Sequence, residues 1–171
     1  AGQAVAWWKQ LAETPGTLLP GPAHPRVNSI AADGAGGIWV ATDGALYHGR
    51  AGGFRAYTQA DGLPDDIIKS VIRARTGDIW ITAPPEGVAR LHAGRWTKYL
   101  CGGPVSDVFP RAVFEDDAGT IWVTTEGGGL NRFKDGRWRT FTVHDGLADD
   151  FISGITEDNH GNLWIACPRG V

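Results

Sequence analysis

Residues 113–133 read VFEDDAGTIWVTTEGGGLNRF. Short runs of β-branched and aromatic residues alternate here with two turn signals, Asp116-Asp117-Ala118-Gly119 and Gly127-Gly128-Gly129. An aspartate side chain bonds the backbone amide two residues on, and glycine takes the positive φ that a tight turn demands. The segment therefore predicts a strand, a tight hairpin, a second strand, a looser turn and a third strand. Residues 155–165, ITEDNHGNLWI, carry the same opening.

Working outward, the unit recurs along the chain. Trp39, Trp80, Trp122 and Trp164 are spaced by 41, 42 and 42 residues. Each stands between Ile or Leu and Val or Ile, three residues after Gly36, Gly77, Gly119 or Gly161. Nine residues before each lies Ile30, Val71, Val113 or Ile155; six before lies Asp33, Asp116 or Asp158, with Ala74 the exception. The second half repeats too: Gly87-Val88-Ala89-Arg90-Leu91 matches Gly129-Leu130-Asn131-Arg132-Phe133, with Ala45-Leu46-Tyr47-His48 a looser copy. Asp61-Gly62-Leu63-Pro64-Asp65-Asp66 returns as Asp145-Gly146-Leu147-Ala148-Asp149-Asp150. Four antiparallel strands in about 42 residues is the arithmetic of a β-propeller blade. The chain is read as an all-β β-propeller of four-stranded antiparallel blades, with about three and a half to four present. Blades are expected at about 27–58, 68–100 and 111–142, with a partial blade over 152–171. The tryptophans are then ribs buried between successive blades, not a sugar-stacking platform.

Residues 1–26 hold four of the ten prolines and one apolar stretch, Val5 to Leu11, with Trp7 and Trp8. An outer strand closing the last blade is favoured there over an edge strand or a short helix. The chain begins at Ala1 and contains no Met, which points to a processed chain or an excised piece.

Composition agrees with this reading. Among 171 residues there are 25 Gly, about 15% against a usual share of about 7%, and 8 Trp. Sixteen basic against nineteen acidic side chains give a net charge of −3, so no basic field exists to hold nucleic acid. No apolar run approaches the ~20 residues of a membrane span, so no membrane contact is expected within the chain. Cys101 and Cys167, in dissimilar contexts, give no disulfide framework.

The repeat resembles that of the two-component regulator propeller family, most closely at residues 155–165 and 113–133, with the resemblance covering about 27–171. The resemblance implies a non-catalytic sensor or ligand-binding module of a bacterial signal-transduction receptor, periplasmic or extracellular. Blade two departs from the family pattern, since Ala74 replaces the turn aspartate and Pro84-Pro85 a glycine turn.

Catalytic constellations are scarce. His24, His48, His92, His144 and His160 show no metal-site spacing, and Gly127-Gly128-Gly129 precedes a strand, not an anion-holding helix. No metal and no cofactor is expected. Paired acids at Asp65-Asp66 and Asp149-Asp150 could bind a hard cation, but recurrence at one repeat position favours a turn-building role. In a propeller, loops entering the inner strand and loops between the second and third strands share one side. That side is expected to carry Asp43, Asp65, Asp66, Glu86, Asp107, Glu126, Asp149, Asp150 and Arg169, an acidic, polar surface. It suits a small hydroxylated or cationic ligand such as a carbohydrate. Two other functions compete: a lyase resembling the streptogramin-inactivating propellers, and a pure interaction scaffold self-associating through open blade edges.

Overall fold

A computed structural model describes residues 26–50, 53–106 and 109–170. The expectation for residues 1–25 lies outside these. Three four-stranded sheets follow one another, each in simple sequential order. Blade one is β1 (Val27–Ala32), β2 (Ile38–Thr42), β3 (Leu46–Arg50) and β4 (Gly53–Tyr57). Blade two is β5 (Ser70–Arg73), β6 (Ile79–Ala83), β7 (Gly87–His92) and β8 (Arg95–Leu100). Blade three is β9 (Pro110–Glu115), β10 (Ile121–Thr125), β11 (Leu130–Lys134) and β12 (Arg137–Phe141). β13 (Gly154–Glu157) and β14 (Leu163–Ala166) form the two strands of blade four among the described residues. Every pairing between these strands is antiparallel. Among the described residues, helical geometry is confined to two 3-10 turns, Gln59–Asp61 and Val143–Asp145.

The first strands pack side by side, β1 against β5, β5 against β9 and β9 against β13, so they line a common axis. The blades thus make an arc of a β-propeller. Ser29 and Ser70 stitch its inner wall: Val71 N–H donates to Ser29 Oγ at 3.3 Å, and Val113 N–H to Ser70 Oγ at 3.3 Å.

Alternation along the second strand makes the interfaces. Trp39 and Ala41 on one face of β2 join Val71, Ile79, Ile81 and Ala89 of blade two in one buried cluster. Trp80 and Val88 of blade two likewise join Val113, Ile121 and Val123 of blade three. Each blade offers its Trp face to the next blade's β-branched face. Period two along a strand is what separates the two sets.

Three of the four repeat tryptophans are buried as expected: Trp39, Trp80 and Trp122 keep 4%, 2% and 9% of their surface. Trp164 does not, and is 52% exposed. The reason is positional, because no described blade follows blade four to cover it. The glycine at the start of β7 and the one just before β11 also have a physical cause. A Cβ on Gly87 or Gly129 would lie 2.3 Å or 2.0 Å from the carbonyl oxygens of Tyr99 and Phe141, and both have positive φ.

Replacing Trp122 by Ala should cost about 3–5 kcal/mol, the range for buried core aromatics. Thermal or urea unfolding checks this, and a melt unchanged within a degree or two would mean that the rib carries no packing.

Candidate functional site

The turn aspartates do more than turn the chain. Asp33 Oδ1 accepts the amides of Ala35 and Gly37 at 2.7 and 2.8 Å, while its Oδ2 meets His48 Nε2 at 3.0 Å. His48 stacks on Trp39 with centroids 4.0 Å apart. Asp116 and Asp158 instead accept the indole N–H of their own repeat tryptophan, Trp122 at 2.8 Å and Trp164 at 2.9 Å. In blade two, where Ala74 stands in the turn, Asp78 supplies the carboxylate. Its side chain takes Arg90 Nη2 at 2.7 Å and His92 Nδ1 at 2.7 Å, and Arg90 lies over the Trp80 ring. Two histidine–aspartate pairs thus border a groove of about 450 Å³ between blades one and two.

These contacts depress the carboxyls. The Ala35 amide, then His48, hold Asp33 down at about 2. The Asn162 side chain, then the Trp164 indole, hold Asp158 well below the carboxylate range. Burial pushes Asp78 and Asp116 up, but hydrogen bonds outweigh it: from His92 and Arg90 at Asp78, from Trp122 and Thr120 at Asp116.

At the opposite end of the arc, around the axis, the inner strands begin and the loops between second and third strands lie. A hollow of about 610 Å³ opens there, lined by residues of all three complete blades. Its lining includes Arg26, Asn28 and Ser29 from blade one, Lys69 and Ser70 from blade two, and Phe109, Arg111 and Glu126 from blade three. Lys69 Nζ reaches Asp43 Oδ1 at 2.6 Å, where Asn28 Nδ2 also donates at 2.7 Å. Arg111 Nη1 reaches Glu126 Oε1 at 2.8 Å. The Lys69 bond, then the Asn28 bond, keep Asp43 ionised below its ordinary range.

Of the acids expected on this side, Glu126 lines the hollow and Asp43 is bonded to two of its lining residues, Asn28 and Lys69. Both are met by cations that sequence reasoning did not weigh, Lys69 and Arg111, and Arg26 adds a third. The hollow therefore sets three cations against these two carboxylates, where the sequence reading counted acids alone. Glu86 is exposed in the Pro84–Glu86 turn, its backbone carbonyl accepting Cys101 N–H at 2.9 Å. Asp107 lies outside the described residues.

Asp65, Asp66, Asp149 and Asp150 sit in the two equivalent loops and do not line the hollow. Asp66 Oδ1 accepts the amide of Gln59, which opens the first 3-10 turn, at 2.7 Å; Asp150 Oδ1 does the same for Val143 at 2.7 Å. Asp65 and Asp149 accept the amides two residues on, Ile67 at 2.8 Å and Phe151 at 2.9 Å. Each loop then hooks onto the preceding blade through Ile68 N–H to Thr42 O or Ile152 N–H to Thr125 O. Arg169 Nε approaches Asp149 Oδ2 at 3.4 Å. Cys101 and Cys167 are not joined by a disulfide. No cluster of three or more His, Cys, Asp or Glu suited to a metal ion occurs among the described residues. No helix among them is long and apolar enough to cross a membrane.

Blades of this order and connection define a β-propeller, and the repeat is of a particular kind. The family model described as two component regulator propeller matches residues 21–44 and 146–169, so the chain carries repeats of that family. In fold, the chain is similar to the extracellular domain of a hybrid two-component system from B. thetaiotaomicron, with 22% identity and a TM-score of 0.70. That match covers 81% of this chain and 20% of the other. A second such domain from B. thetaiotaomicron shows 23% identity and a TM-score of 0.67, covering 91% of this chain and 23% of the other. Virginiamycin B lyase from Staphylococcus aureus shows 20% identity and a TM-score of 0.67, covering 84% and 50%. The chain thus spans about a fifth to a quarter of those extracellular domains and half of the lyase. No curated protein matches the chain significantly.

Two outcomes follow for stability. Removing the cap at Asp66 or Asp150 with Ala should cost about 1 kcal/mol each, while Asn, which keeps an accepting oxygen, should restore most of it. Because Asp33, Asp78, Asp116 and Asp158 have folded-state values below their unfolded ones, their stabilisation is present above the unfolded carboxylate value, about 3.9, and lost as pH falls through the lower values. The melting temperature should therefore hold steady down to about pH 5 and drop between about pH 4 and 2. In Asp33→Asn the drop should be shallower.

Proposed function

We propose that the chain works as a non-catalytic sensor module of a bacterial signal-transduction receptor. It presents its axial hollow outside the cytoplasm to a small, hydroxyl-rich ligand that carries an anionic group. The observation that carries this reading is the convergence of Arg26, Lys69 and Arg111, one from each complete blade, on one concave surface. Asn28 and the seryl residues Ser29 and Ser70 add polar groups, and Phe109, 51% exposed, adds an apolar ring. A concave site with a few convergent polar groups is the usual form of a small-molecule site. The two-component regulator propeller repeats and the fold shared with extracellular domains of hybrid two-component systems support the receptor context.

The likeness in fold to a lyase motivates the second reading, in which the hollow carries out proton-transfer chemistry. Such chemistry needs a general base within hydrogen-bond reach of the proton it removes. The paired histidines His48 and His92 lie at the other end of the arc from the hollow. That separation, together with the ion pairs that hold the carboxylates Asp43 and Glu126, favours binding over chemistry.

Calorimetry with glucuronate, and with glucose as the neutral control, tests the proposal. Glucuronate should bind and raise the melting temperature, glucose should bind more weakly, and the gap should shrink as salt is added. The double variant Lys69→Ala/Arg111→Ala should lose the preference while remaining folded, since exposed ion pairs contribute little to stability. Equal behaviour of the two sugars would overturn the anionic ligand, and turnover of either would overturn the non-catalytic role.

A further inference from the structure

Successive blades are joined at their first hairpins by one repeated contact. Glu115, the last residue of β9, accepts the amide of Arg75 from the blade-two hairpin on Oε2 at 2.9 Å. Glu157, the last residue of β13, accepts the amide of Asp117 from the blade-three hairpin in the same way. Both acids stand seven residues before their rib, and both amides five residues before theirs. Between blades one and two the same offsets fall on Arg73, the last residue of β5, and on the amide of Gly34. The Arg73 head lies where the two carboxylates lie. A Cβ on Gly77 would be 3.6 Å from Arg73 Nη2, as one on Gly161 would be 3.7 Å from Glu157 Oε1. A Cβ on Gly34 would be 3.1 Å from Arg73 Cζ. A cation thus stands where the other two junctions put an acceptor. The Gly34 amide meets no acceptor among the described residues, and Arg73 has no ion-pair partner among them.

We infer that this junction binds a small carboxylate, whose oxygens take the Arg73 guanidinium and the Gly34 amide. The ligand completes from outside the contact that Glu115 and Glu157 make from within the chain. A guanidinium fork suits a planar acceptor with two oxygens, and the charge strengthens both bonds. The surroundings define the rest of the ligand. Arg73 lines the groove of about 450 Å³ between blades one and two. The other charged residues of its lining are already committed, Asp33 to His48 and Asp78 to Arg90 and His92. Arg73 is therefore the one charge of that lining still to be matched. Trp39, Ile79 and Leu91 line the same groove, so the body behind the carboxylate is apolar, an aryl or alkyl group. This site lies at the other end of the arc from the axial hollow and does not depend on the function proposed for it.

Titration of isotope-labelled protein with phenylacetate, followed by amide NMR, reads the site at Gly34. Phenylacetamide is the neutral control and sodium chloride the simple-anion control. Phenylacetate should shift the Gly34 resonance saturably, and neither control should. Arg73→Gln, at an exposed position, should weaken binding about tenfold, the share of a charge-assisted pair. Arg73→Glu should abolish binding and raise the melting temperature by about 2 °C, because the Gly34 amide then gains an acceptor within the chain. Glu157 already bonds a hairpin that contains Asp116, so Arg73→Glu can coexist with Asp33. Lys69→Ala/Arg111→Ala should bind phenylacetate as the wild type does, which separates this site from the hollow. A Gly34 resonance unmoved by phenylacetate, an equal response to either control, binding that survives Arg73→Glu, or an Arg73→Glu melt no higher than that of the wild type would each overturn the inference.

Discussion

The packing of a tryptophan from one blade's second strand onto the β-branched face of the next blade is the interaction on which the arc depends. No blade can bury both its faces alone, and a single four-stranded sheet of this size has too little core to offset the entropy of ordering its chain. Stacking supplies the missing half. Trp39 and Trp80 are each buried with residues of the next blade, so that removing one disturbs two units at once, while Trp122 is bonded to its own turn carboxylate. The same logic leaves Trp164, which no described blade follows, 52% exposed.

Around each rib the chain places a charge in a slightly different way. Asp33 reaches its rib through the stacked His48, Asp78 through Arg90, and Asp116 and Asp158 by direct acceptance of the indole N–H. The four solutions share one requirement, since an indole or a buried cation at a blade edge needs a polar partner once it leaves water. Blade two shows the tolerance of the scheme. Losing the aspartate at position 74 leaves the hairpin intact because Gly77 still supplies the positive φ, and Asp78 still serves Arg90 and His92.

The two ends of the arc differ in what they can do. Hairpins between first and second strands are closed by their own aspartates and spend most of their hydrogen-bonding capacity on backbone. The axial end is assembled from loops of several blades, and its charges are partnered across long sequence separations. A proton or a ligand meets fixed architecture at the first end and an adjustable set of ion pairs at the second. The proposed ligand site at the axial end rests on that difference.

The sequence by itself determined the blades. A rib every 41 or 42 residues, an aspartate and a glycine at fixed offsets before it, and period-two alternation around it are local signals, and strands and hairpins are local structures. The turn-building role of Asp65, Asp66, Asp149 and Asp150 was legible for the same reason, since each bonds an amide within seven residues. The pairing of acids with cations at the axial hollow was not. Asp43 and Lys69 are 26 residues apart and belong to different blades, while Arg111 and Glu126 meet across a strand pair whose register sequence spacing alone does not fix. Counting acids on one predicted side gave a negative surface because the cations that neutralise them come from the neighbouring inner strands. The exposure of Trp164 was decided in the same way. Its own repeat is like the others, and what buries a rib is the following blade, which no residue of that rib's own repeat encodes.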